Sequence, residues 1–227
     1  MFKRKLTIND FPLIVVNLIP LYGVWFEGWD PKHIFLVYCL ETVIIGLVNV
    51  IRMACVTLFI RPQDKWHNGG SYTMQSGWFF IFFFIVHYGF FVFIQTQIFF
   101  GASGLDNNIG FSVYRKIPQM LGHEGKLMLL IFCIAYCWQV AKEFYSGAYK
   151  DTSLSLMMFQ PYGRIFIQQF IVILGGMFLG FGADKVFMLI VVVVKLYAEL
   201  YLNIGDLIRR EELRQAEQEK NSENALK

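Results

Sequence analysis

Apolar residues in this chain fall in blocks long enough to cross a bilayer, each ending where charged or turn-forming residues gather. Runs of ~17 to 25 mostly apolar residues predict about six helices, at 10–26, 34–60, 77–100, 126–146, 164–182 and 186–208. The first contains Pro12 and Pro20 and is expected to kink at Pro20, which lacks an intrahelical donor. Between the last two, "GFGADK" reads as a tight hairpin turn. The expected fold is all-α: a polytopic transmembrane helix bundle over residues 1–208, followed by a charged tail, 209–227, that carries the last helix into water.

Composition strengthens this reading. Of 227 residues 56% are hydrophobic and 16% charged, more apolar surface than a water-soluble domain of that length hides. The formal charge of +3 is spread over short loops and a mixed-charge tail, so it orients a membrane protein rather than marking a nucleic-acid partner. Lys3, Arg4, Lys5, Arg61, Lys65, Lys142, Lys150, Arg164 and five tail residues lie on one side, against Lys32, Arg115, Lys116, Lys126 and Lys185 on the other. The positive-inside rule then places both termini in the cytoplasm of a multi-pass protein, expected in a cell inner membrane. Trp25 and Trp29 at one face, with Trp66, Trp78, Tyr145 and Tyr162 at the other, supply the expected aromatic belts. The basic start is read as a retained first helix, because no small-residue cleavage site follows it.

Cys39, Cys55, Cys133 and Cys137 fall inside predicted helices, where thiols pack as small apolar groups, and no disulfide framework is implied. Cys133 and Cys137 share a helix face, yet no further ligand stands near them in sequence, and no metal is expected there. The third predicted span is Phe-rich around its circumference, with His87 as its strongly polar interruption. Gly176 and Gly180 form a GxxxG pair suited to close helix approach. Residues 101–125 make a long loop with an amphipathic middle, which either lies on the membrane surface or folds over the bundle.

Candidate chemistry resides in the ionisable groups inside spans, each of which costs ~2.5 to 3.5 kcal/mol to insert and therefore needs a partner or a wet cavity. They are Glu41 and Arg52 in the second span, His87 in the third, and Lys195, Glu199 and Asp206 in the sixth; Asn17 and Asn49 add neutral polar groups. Counting 1.5 Å per residue from the outer end of each span puts Glu41 and Lys195 at about 11 and 14 Å, and Asn17 at about 13 Å. By the same count His87 and Glu199 lie near about 19 Å, and Arg52 and Asp206 at about 27 and 30 Å. The three residues of the sixth span share one side of a helix, as do Glu41 and Arg52, eleven residues apart. A polar column follows, with rungs Glu41–Lys195, His87–Glu199 and Arg52–Asp206, the last being the weakest because Arg52 can snorkel to the headgroups. Lys142 and Glu143 read as interfacial.

Such a column has three uses. It can neutralise itself and fix helix register; it can relay protons or solutes; or Glu41, His87 and Glu199 can hold a metal for an intramembrane enzyme, although no HExxH-type spacing is present. The leading expectation is a small transporter or proton-coupled carrier, or an accessory subunit of a larger membrane complex, with partner subunits or a second copy as its protein contacts. The residues name no substrate, reaction, catalytic group or cofactor.

"GASG" at 101–104 resembles the serine motif of rhomboid proteases, but no histidine occurs in a later span to act as base, and "LDNNIG" breaks the helix that the family would continue. Ser103 is therefore expected to be a helix-end residue bonded to backbone. The strings "NLIPLYGVWFEGWDPKHIFLVYCLETVIIGLVNVIR" and "HYGFFVF" resemble a family of small bacterial integral membrane proteins of unknown function, centred on Asn17, Pro20, Gly23, Trp29, Glu41, Gly46, Asn49, His87 and Gly89. The later half matches loosely, through Lys195 and the acidic residues after it, and the resemblance implies no activity.

Overall fold

The computed structural model describes residues 11–68, 71–105, 110–180 and 183–201. Eight α-helices and one β-hairpin are found among them. They are α1 (Phe11–Phe26), α2 (Pro31–Phe59), β1 (Gln63–Asn68), β2 (Ser71–Ser76), α3 (Gly77–Ser103), α4 (Ile117–Met120), α5 (Gly122–Ser146), α6 (Leu154–Phe159), α7 (Tyr162–Gly180) and α8 (Asp184–Tyr201). Three of them, α2, α3 and α5, are long and apolar enough to cross a membrane.

The helix ends follow local chemistry. The turn into α2 uses Gly28 at φ +71°, after which Asp30 accepts the Lys32 N–H at 2.8 Å and Pro31 occupies the first turn. Ser76 caps α3 by accepting the Trp78 N–H, and left-handed Gly104 and Gly147 close α3 and α5.

Helix α2 is central. Over half of its apolar stretch is buried, and it touches α3, α5, α6, α7 and α8. Beyond α2, α3 packs along α7, α7 on α8, and α8 on α1. Helix α5 is peripheral: it lies along α2, and Leu127, Leu130, Ile134 and Trp138 remain exposed. With Phe82, Ile85, Val86 and Phe90 of α3 they form a broad apolar exterior, consistent with contact with a lipid bilayer.

The core has two parts. Near the end opposite the hairpin, Ile34–Cys39 of α2 pack with Phe99, Phe100, Met128, Phe132, Ile171, Met188, Val191 and Val192. Nearer the hairpin, Met53 and Val56 pack with Phe80, Phe84, Tyr88, Leu154, Met157, Met158, Tyr162 and Ile165. On α2 the polar residues Glu41, Thr42, Asn49 and Arg52 occupy the stretch between these two clusters, and all four are buried.

Several expectations change. Residues 61–76, expected only as a connection, form an antiparallel hairpin with Asn68 paired to Ser71. A further helix, α6, sits against α2, α3 and β1 with Leu154, Leu156, Met157 and Met158 buried. Of the expected loop 101–125, the described part from 110 onward packs onto the bundle: Val113, Ile117 and Leu121 enter the first core cluster. Tyr162, expected at an interface, is buried because it faces His87, Phe84 and Tyr88. Gly176 and Gly180 fall in α7, but their surroundings, like residues 209–227, lie outside the described residues.

Candidate functional site

Lys195 Nζ donates to Glu41 Oε2, joining α8 to α2, with the two residues 6% and 3% exposed. The second carboxylate oxygen, Oε1, accepts the Tyr136 hydroxyl of α5 at 2.5 Å. The ammonium also lies over two rings, 4.3 Å from the centroid of Tyr38 and 4.7 Å from that of Phe132. Three helices thus meet on one ion pair. Each ion is compensated by its partner and by a hydrogen bond or ring face, which is what a buried charge requires. Asn17 is buried on α1, the helix packed against α8.

Toward the hairpin end, α2 and α5 diverge around a cleft of about 360 Å³. Its walls include Ile45, Val48, Asn49 and Arg52 from α2, with Tyr136, Gln139, Val140 and Glu143 from α5, and Gln160 at its base. Arg52 donates from one terminal nitrogen to Glu143 Oε1 and from the other to Gln160 Oε1, the latter at 2.5 Å. Its Nε is buried without a partner among the described residues. Asn49 donates to the Met157 carbonyl at 3.0 Å and so ties α2 to α6. Tyr136 belongs to both features: its ring lines the cleft and its hydroxyl holds Glu41.

The expected column is therefore only partly assembled. Glu41 and Lys195 meet. Arg52 pairs with Glu143, which sequence reasoning had left at the interface, while Asp206 lies outside the described residues. His87 sits on an exposed face of α3 and its Nδ1 is 2.8 Å from the Tyr162 hydroxyl, flanked by Phe83 and Phe91. Glu199 belongs to α8, but its side chain lies outside the described residues. The buried polar groups of α3 are instead Gln95, Thr96 and Ser103, and Gln97 anchors the following loop by accepting the Gly110 N–H at 2.6 Å.

The remaining candidates have structural surroundings. Ser103 ends α3 and its hydroxyl accepts the Leu105 N–H at 3.3 Å. Cys133 and Cys137 are exposed on α5. Among the described residues no group of three or more His, Cys, Asp or Glu side chains converges as metal ligands would.

Helices of membrane-crossing length around a buried ion pair define the class: a mostly helical protein with the features of a membrane protein. Residues 1–223 match the model of a family described as "Family of unknown function (DUF6498)", and the chain belongs to that family. No curated protein and no solved structure matches it.

Proposed function

We propose that the chain crosses an inner membrane six times, with both termini cytoplasmic, and works as a small proton-coupled carrier whose coupling group is the Glu41–Lys195 pair. The observation that carries this reading is the double role of Tyr136, which joins a polar cleft to a buried ion pair. Protonating Glu41 would remove the carboxylate charge that faces the buried Lys195 ammonium, and losing one member of a buried ion pair costs ~3–5 kcal/mol. The ammonium keeps the Tyr38 and Phe132 rings but loses the carboxylate that ties α8 to α2, and the contact between the two helices loosens. Proton binding thereby biases the packing of two helices, which is the physical requirement for coupling.

The test is proton entry into proteoliposomes of the full chain, read by an internal pH dye, with a panel of small organic acids, amines and amino acids outside. Solute-dependent proton entry that is lost in a folded Glu41→Gln variant supports the carrier. Entry that is unchanged by that variant, or absent for every solute, overturns it.

A second reading, an accessory subunit of a larger complex, is favoured by α5, whose apolar outer face extends far beyond its contact with α2. Stable co-purifying chains with no flux would select it. The metal-enzyme alternative has no comparable support: both Glu41 oxygens are engaged by Lys195 and Tyr136, and His87 is bonded to Tyr162.

A further inference from the structure

The cleft between α2 and α5 has a composition that restricts what it can hold. Its charged groups are Arg52 and Glu143, one of each sign, already in contact. Around them stand the neutral amides of Asn49, Gln139 and Gln160, and farther along the wall the aliphatic side chains of Ile45, Val48 and Val140.

A ligand bearing a lone carboxylate that took the Arg52 donors from Glu143 would leave the Glu143 side chain, 20% exposed, without its counter-ion. A lone amine on Glu143 would strand Arg52 in the same way. A ligand carrying both charges a few bonds apart replaces each member of the pair with an equivalent partner, so the cleft stays neutral. Arg52 is 8% exposed and its terminal nitrogens are held by Gln160 and Glu143, so the guanidinium is fixed in place at the cleft.

The geometry points to this cleft as a binding site for a small zwitterion with an aliphatic body, its anionic group on Arg52, its ammonium on Glu143, and its apolar part against Ile45, Val48 and Val140. Two sources share that chemistry: a free aliphatic amino acid, and the headgroup and upper chains of phosphatidylethanolamine. The inference rests on the carrier reading for the ligand's being cargo. Binding itself does not, so saturable binding without flux would overturn the carrier and leave the site standing.

The experiment uses the full chain in nanodiscs of phosphatidylcholine and phosphatidylglycerol, titrated calorimetrically with L-valine and, separately, with isobutyrate and isobutylamine, each of which carries one of the two charges. L-Valine is expected to bind saturably and at least ~10-fold more tightly than either half-ligand, with Glu143→Gln weakening it by at least ~10-fold. Gln139→Leu, at an exposed cleft position, is a second variant that spares the ion pair and is expected to weaken L-valine several-fold.

The lipid arm adds phosphatidylethanolamine to the nanodiscs and measures, by native mass spectrometry, how much of it stays on the released protein. Retention lost in Glu143→Gln, with no L-valine binding, assigns the site to the headgroup. Isobutyrate binding as tightly as L-valine overturns the proposal, as does the absence of both L-valine binding and phosphatidylethanolamine retention.

Discussion

The Tyr136 hydroxyl, 2.5 Å from Glu41 Oε1, puts a phenol from the peripheral helix α5 between a polar cleft and the ion pair that joins α2 to α8. A neutral donor to a buried carboxylate stabilises its charged form, and such bonds contribute ~1.5–3 kcal/mol. Tyr136→Phe keeps the ring and deletes the bond. The expected outcome is a fall in stability of that size by chemical denaturation in detergent, with proton entry in proteoliposomes altered in rate but not abolished. A loss below ~0.5 kcal/mol would show that water replaces the hydroxyl without penalty.

The ion pair makes a sharper prediction. Glu41→Ala and Lys195→Ala each leave one buried charge without its partner, and each is expected to destabilise by ~3–5 kcal/mol. The combination Glu41→Gln with Lys195→Met removes both charges at nearly constant volume and should recover most of that loss. A full double-mutant cycle of thermal or denaturant stability measures the coupling, and additive single losses would dissolve the pair as an energetic unit.

How much of this was legible in the sequence differs from residue to residue. Glu41 and Lys195 are matched because charge in an apolar run is conspicuous and helix rise fixes depth, so two spans that cross in the same direction can be compared level by level. Azimuth was not legible. His87 came out at a plausible depth, yet its neighbour Tyr88 is the one that turns inward, donating to the Thr42 carbonyl at 2.9 Å. The partner of Arg52 was missed because Glu143 sits near the end of α5, where an acidic residue reads as solvated, and only the packing of α5 along α2 makes it a neighbour. The hairpin has a local signal, Asn68 followed by two glycines between β-prone residues, but it is short beside the bilayer-length apolar runs on either side. Helix α6 had none of that length: six residues become a buried element only through long-range partners.

One of those partners is Asp64. Its carboxylate accepts from the Leu154 N–H at 2.7 Å, from Arg61 at 3.0 Å and from the Lys65 N–H at 2.8 Å, so one side chain fastens the hairpin to the start of α6. Arg61 adds a bond to the Lys150 carbonyl at 2.7 Å. Asp64→Ala is expected to cost ~1–3 kcal/mol, since it strands the buried Leu154 N–H and removes one of the two partners of Arg61. The measurement is amide hydrogen exchange: protection should fall in 63–76 and 152–160 together while the middle of α2 keeps its own. Faster exchange confined to the hairpin would mean that α6 is held by its apolar contacts alone.

Two glycines one helix apart provide a matched test of close packing. A Cβ built on Gly46 of α2 would lie 2.6 Å from the Tyr88 ring, closer than any real contact, whereas one on Gly89 of α3 meets nothing within 4 Å. The ring is not free to retreat, because its hydroxyl is bonded to Thr42 and it stacks on Phe84 at 4.7 Å between centroids. Gly46→Ala is therefore expected to destabilise by ~1–3 kcal/mol through overpacking. Gly89→Ala should gain up to ~1 kcal/mol from helix propensity. Opposite signs for the two substitutions, read as unfolding midpoints in the same detergent, identify the Gly46–Tyr88 contact as a close approach of α2 and α3. A neutral Gly46→Ala would mean that the two helices can separate by a few tenths of an ångström to admit the methyl group.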